Sequence, residues 1–264
     1  MKLAVPGARL HWQEAGSGPL LIVLQGGDGD ADTSQAMVAR LEGFRVITYD
    51  RRGLSRTEVD APGKVELRTH TDDVAALLAS LTDEPAFVFG SSMGGVMGLD
   101  LISRYPRRVK KLVVHEPPLT ELLGEADRAS SDQVRDEIAS LHQTRGIAAA
   151  MRRFIAATGV DFMDREADVG LPPFNPGRLK NLDFFLANDA PAVWRFKLEL
   201  PALRRGRARI VVAAGAKSKA LWIHRSAQAL AAALELGVEE LPGDHGGYVS
   251  HPRGFAETLK RWFG

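Results

Sequence analysis

The segment from Ala86 to Tyr105 constrains the fold more than any other stretch of this chain. Ala86-Phe87-Val88-Phe89 is apolar and rich in strand-forming residues. It stops at Gly90-Ser91-Ser92-Met93-Gly94-Gly95, and a helix-capable stretch over 93–105 follows at once. A serine flanked by glycines between a strand and a helix has the layout of a nucleophile elbow, with Ser92 on a strained turn. Gly90 and Gly94 carry no Cβ to obstruct so tight a closure. The helix that follows aims its first N–H groups at whatever the serine attacks. In a chain with 26 glycines the pentapeptide alone is weak evidence, so its surroundings must supply the argument.

They do so through alternation. Residues 2–15 read as two short strands around a Pro6-Gly7 turn. Leu20-Leu21-Ile22-Val23-Leu24 is a continuous apolar run bounded by turns, as a parallel strand covered on both faces requires. The spacing predicts a helix over 31–42, a strand over 44–49, a helix over 70–81 and a strand over 111–115. Between 119 and 204 the alternation breaks, and only helical patterns occur, over 131–143, 145–157 and 178–188. A turn-rich stretch, Asp168 to Gly177, separates the last two. Strands over 209–214 and 238–241 then alternate with helices over 222–235 and 252–263. The reading is an α/β chain with a mostly parallel sheet flanked by helices. Residues 1–118 and 205–264 form its core, and 119–204 form a helical lid, or cap, inserted after the sixth strand.

Composition narrows the function classes. A net charge of +1 argues against nucleic acid as a partner, and the clusters at 107–111 and 204–207 read as solvated connections. With no cysteine, disulfides, thiolate nucleophiles and cysteine metal sites are excluded. No apolar leader opens the sequence and no run reaches membrane-spanning length, so the expectation is a cytoplasmic protein without a membrane partner. No cofactor or metal is expected. The oligomeric state is open, a homodimer included.

Ser92 needs a base, because a neutral hydroxyl is a poor nucleophile. Of seven histidines, His245 lies in the Gly243-Asp244-His245-Gly246-Gly247 loop just past the last strand, where sites in open α/β sheets gather. His251 is the runner-up. The histidine needs a carboxylate to hold its tautomer. The loop after the 209–214 strand has none, only Lys217 and Lys219. The loop after the preceding strand begins with Glu116, on a backbone stiffened by Pro117 and Pro118. Asp244 adjoins His245 but is poorly placed for that bond, and Asp50 belongs to its own turn. The oxyanion donors expected are the amides of Met93 and of Gly26, with Gly27 the close alternative.

At this point the chain resembles the α/β-hydrolase superfamily over essentially its whole length. The residues that carry the resemblance are Gln25-Gly26-Gly27, Asp50-Arg51-Arg52-Gly53, the elbow, Tyr105-Pro106-Arg107-Arg108-Val109 and Gly243-Asp244-His245. Gln25 stands where that superfamily commonly has His. Val114-His115-Glu116-Pro117 and 242–248 also look like stretches of zearalenone-lactonase-like serine hydrolases. That resemblance implies Glu116 as the triad acid, lactone or ester hydrolysis, and Trp194 in the lid as a substrate contact.

The lid holds Phe154, Phe162, Phe174, Phe184, Phe185 and Phe196, together with Trp194 and Met163. Most of these should pack the lid on the core, yet their density suits a moderately hydrophobic ester or lactone as partner. The expected reaction is acyl transfer from Ser92 to water. The alternatives are C–C bond hydrolysis, cofactor-free perhydrolysis, and a ligand receptor with a silent triad.

Overall fold

The Pro6-Gly7 turn joins β1 (Lys2–Val5) to β2 (Ala8–Gly16) as an antiparallel pair, as its chemistry predicts. This computed structural model describes residues 1–61, 63–170 and 175–264. Among the described residues seven further strands follow: β3 (Leu20–Leu24), β4 (Arg45–Tyr49), β5 (Glu58–Val59), β6 (Ala86–Ser91), β7 (Val109–His115), β8 (Ile210–Gly215) and β9 (Val238–Leu241). All join one sheet in the order β1-β2-β4-β3-β6-β7-β8-β9, with β5 attached to β2. From β4 to β9 every neighbour is parallel.

The parallel strands are buried on both faces, which is why they read as continuous apolar runs. In β3, Leu20, Ile22 and Leu24 face a core built with the helices Leu67–Leu81, Met93–Arg104 and Trp222–Leu234. Leu21 and Val23 face the opposite core, closed by Met37, Val38 and the helix Pro252–Phe263. The register aligns the strand ends. Leu24 lies beside Gly90, Ser91 beside His115, His115 beside Ala213, and Gly215 beside Leu241. The loops after β3, β6, β7 and β9 therefore open on one edge of the sheet.

Between β7 and β8 lie the helices Glu125–Arg145, Ile147–Thr158, Pro176–Phe184, Ala190–Arg195 and Leu200–Gly206. Glu125–Arg145, Ile147–Thr158 and Ala190–Arg195, with Phe185 and Leu186 just before the last of these, share a small core of Ile138, Ala150, Phe185, Leu186 and Ala190, while Leu203 of Leu200–Gly206 packs into the main core. This insertion follows the strand expected as the sixth. The two-residue β5, with no apolar run to announce it, makes that strand the seventh in the full count.

Three expectations shift. The helix over 31–42 shrinks to Gln35–Val38. Asp30 accepts the Asp32 amide at 3.0 Å and its own amide donates to Thr33 Oγ1 at 3.0 Å, a turn that competes with the helix. The helix over 178–188 becomes Pro176–Phe184 followed by a π-helical turn, Phe185–Asp189. Pro191 has no N–H for residue 187 and crowds its carbonyl, so the turn widens. The short helices Leu200–Gly206 and Gly247–Ser250 were not foreseen. The turn-rich stretch expected after Asp168 includes residues 171–174, which lie outside the described residues, and Phe174 with them.

Candidate active site

Ser92 caps the helix Met93–Arg104 with φ 54° and ψ −123°, a conformation L-residues rarely adopt. Its amide donates to the His115 carbonyl at 2.9 Å, which ties the turn to the end of β7. Two glycines make the turn possible. A Cβ on Gly94 would run into the Leu24 carbonyl, and one on Gly26 would lie 2.7 Å from the Ser92 Cβ. Gly26 thus packs directly against the serine. Met93 is the first helical residue, so its amide has no partner within the helix.

Glu116 is fully buried directly after β7, also at positive φ (42°). Its amide donates to the Ala213 carbonyl at 3.0 Å. Oε1 accepts the Gly215 amide at 2.9 Å, and Oε2 pairs with His245 Nδ1 at 2.8 Å. An ionised carboxylate only accepts, so Nδ1 carries the proton and Nε2 keeps a lone pair. Burial alone would raise the Glu116 pKa. The His245 hydrogen bond, the nearby His115 and the Gly215 amide outweigh it and hold the carboxyl down at about 2.

His245 is 7% exposed, on the loop after β9. Asp244 does not reach it as a partner. Its oxygens accept the amides of Asp161 at 2.6 Å and Gly246 at 2.7 Å, so it shapes the loop instead. His251 Nδ1 pairs with Ser250 Oγ at 2.9 Å. His115 lies beneath the site, its Nδ1 3.0 Å from Ser91 Oγ and its ring stacked on His245 at 6.1 Å. Burial pushes its pKa down to about 4, which keeps it neutral.

Ser92, His245 and Phe154 are shared by two lobes of a cavity between the sheet edge and the helical insertion. The larger, about 330 Å³, is bounded by Gly26, Gly27, Ile155, Leu182 and Tyr248, among others. Burial, with the Asp28 charge nearby, pushes the Tyr248 hydroxyl up to about 12, against the pull of Arg178, Arg51 and the Gly26 amide. The smaller lobe, about 50 Å³, is walled by Ile138, Phe185, Val193 and Trp194. Among the described residues no three His, Asp or Glu side chains cluster so as to hold a metal ion.

This edge of the sheet can be compared with known proteins. The family model of the α/β hydrolase fold matches residues 19–154. An uncharacterized hydrolase of Bacillus subtilis (strain 168), YraK, is 34% identical over 265 residues, covering 97% of this chain and 93% of its own. The chain belongs to the α/β hydrolase family. Two solved members of this fold illustrate the likeness. A carboxylesterase of the thaumarchaeon Nitrososphaera gargenis superposes with a TM-score of 0.74 at 18% identity, covering 100% of this chain and 97% of that one. The enol-lactonase of Burkholderia xenovorans LB400 gives 0.71 at 23% identity, covering 100% and 99%.

Within this α/β hydrolase, Ser92, His245, Glu116, Met93 and Gly26 all stand at one edge, and Trp194 stands in the cavity wall. Of the aromatics, Phe154 lines both lobes, Phe185 the smaller and Phe162 the larger, while Phe184 packs on Gly53 and Phe196 on the core. Sequence reasoning missed Tyr248 and the pair Arg178–Asp28, at 2.8 Å, in the wall of the larger lobe. Asp28 sits beside the glycine loop and could have been flagged there. Arg178 reaches it across 150 residues, through tertiary packing alone. Among the described residues no helix is long and apolar enough to cross a membrane.

Proposed function

We propose that this protein is a serine hydrolase that cleaves a carboxylic ester or lactone of a moderately hydrophobic small molecule through an acyl-enzyme. The observation that carries the reading is the buried Glu116–His245 bond at a cavity whose wall includes Ser92. Glu116 fixes the Nδ1–H tautomer of His245 and stabilises the imidazolium. His245 Nε2 takes the proton of Ser92 as Oγ attacks the substrate carbonyl carbon. The Met93 amide and an amide of the Gly26-Gly27 turn hold the oxyanion. His245 returns the proton to the leaving alkoxide, then activates water to release the acid.

Residues 119–204 act as a lid over this site, with 1–118 and 205–264 as the catalytic core. Apolar walls from the insertion, Trp194 included, favour a hydrophobic substrate. No cofactor takes part in this scheme. The reading is tested by screening aryl esters of increasing chain length beside small-ring and macrocyclic lactones. Turnover is expected for a subset, with a loss of roughly 10³-fold or more in Ser92→Ala. Full turnover in Ser92→Ala would overturn the mechanism.

A further inference from the structure

Among the described residues Arg51 is the largest buried side chain, at 2% exposure, and it lies in the turn after β4. A buried guanidinium is tolerated only where acceptors surround it. Arg51 finds them in the glycine loop after β3. Nη1 donates to the carbonyls of Gln25 at 3.0 Å and Gly29 at 3.4 Å, and Nη2 donates to that of Gly27. The remaining acceptor is Asp189, whose Oδ2 takes Nη2 at 3.1 Å. Asp189 is itself fully buried, and its Oδ1 pairs with His70 Nε2 at 3.1 Å. Burial would raise the Asp189 pKa, but His70 and Arg51 outweigh it and hold the carboxyl below its usual range.

Two consequences follow from peptide geometry. In a trans peptide the C=O and N–H point in opposite directions, and no cis bond occurs among the described residues. Turning the Gln25 and Gly27 carbonyls onto Arg51 turns the amides of Gly26 and Asp28 away from it. The intervening Gly26 carbonyl accepts the Gly29 amide at 2.9 Å, which sets the facing of the Gly27 amide as well. Every peptide plane from 25 to 28 is thereby fixed, in the loop that packs against Ser92. Asp189, however, belongs to the insertion, where it ends the π-helical turn Phe185–Asp189. Phe185, in the same turn, walls the smaller lobe.

We propose that Arg51 is the positioning residue of the oxyanion loop, and that Asp189 makes its setting depend on the helical insertion. Substrate seated under the insertion and the donors at Ser92 are then coupled through one buried ion pair. This rests on the serine-hydrolase reading, since it assigns the loop an oxyanion role.

The test compares wild type with Arg51→Lys and Asp189→Asn. A lysine lacks the fork that reaches four acceptors, whereas asparagine keeps the shape of Asp189 and removes its charge. With 4-nitrophenyl butyrate, kcat is expected to fall roughly 10²-fold in Arg51→Lys and about 10-fold in Asp189→Asn, with KM within about 3-fold. Amide hydrogen exchange over residues 25–29 is expected to quicken about 10-fold in both. A merely structural role would leave the kcat of the folded fraction unchanged. Folded variants with kcat within about 2-fold of wild type would overturn the proposal. If Arg51→Lys does not fold, Asp189→Asn alone decides by the same criteria. Should wild type neither turn over any ester nor react with a fluorophosphonate, the serine-hydrolase reading fails. Unchanged loop exchange in Asp189→Asn would overturn the clamp independently of activity.

Discussion

Glu116→Gln separates orientation from packing, because the two side chains have nearly the same shape. Glu116 accepts two N–H donors, from His245 at 2.8 Å and from Gly215 at 2.9 Å. A glutamine has one acceptor oxygen and one donor NH2, so it can satisfy only one of them. The Gly215 amide is fixed in β8 and cannot turn away, so the oxygen is expected to stay with it. The NH2 then faces Nδ1, which must give up its proton, and the imidazole shifts to the tautomer with Nε2–H. That tautomer cannot take the proton of Ser92. The lost electrostatic support adds to this. Holding Glu116 at about 2 rather than 4.5 corresponds to about 3 kcal/mol of preference for the charged form. Part of that preference is available to the imidazolium as it forms. Together the effects predict a fall in kcat of about 10³- to 10⁴-fold with KM little changed. Steady-state hydrolysis of an activated aryl ester, with circular dichroism to confirm folding, measures it. A folded Glu116→Gln within about 10-fold of wild type would show that the carboxylate does not set the His245 tautomer.

Acid stability turns on Glu116 and its buried neighbour His115. His115 has a folded pKa of about 4 against an ordinary 6.5, so the unfolded chain binds its proton first as pH falls, and stability is lost between those values. Glu116 contributes stability that is full above 4.5 and lost as pH falls toward about 2. Urea unfolding should show about 3 kcal/mol lost between pH 6.5 and 4, much of it absent in His115→Gln; equal slopes in the two proteins would contradict this. Trp194→Ala opens the wall of the smaller lobe. It should raise KM for longer-chain esters by about 10-fold while leaving kcat close to wild type, and an unchanged KM would remove Trp194 from the substrate site.

The sheet was legible because its central strands are covered on both faces. Apolar runs such as Leu20–Leu24 and Leu112–Val114 have no polar alternation to disguise them, and each strand ends in a turn. The strand-turn-helix at Ser92 was legible for the same reason, and the carboxylate that meets His245 by elimination, since Lys217 and Lys219 occupy the loop that lacks one. What stayed hidden depends on contacts between distant segments. Nothing near Arg51 in sequence indicates that Asp189 will meet it, and nothing near Asp28 points to Arg178. The 31–42 helix misled because its apolar spacing was read without the Asp30 turn that competes with it. The π-helical turn could have been anticipated from Pro191.

Everything in the proposed mechanism depends on Ser92 being a nucleophile activated by His245. Reaction with a fluorophosphonate, followed by intact mass and peptide mapping, tests it without knowledge of the natural substrate. One adduct per chain is expected, mapped to Ser92, absent in Ser92→Ala and strongly slowed in His245→Ala. No adduct on the folded wild-type protein, or equal labelling of Ser92→Ala, would contradict it.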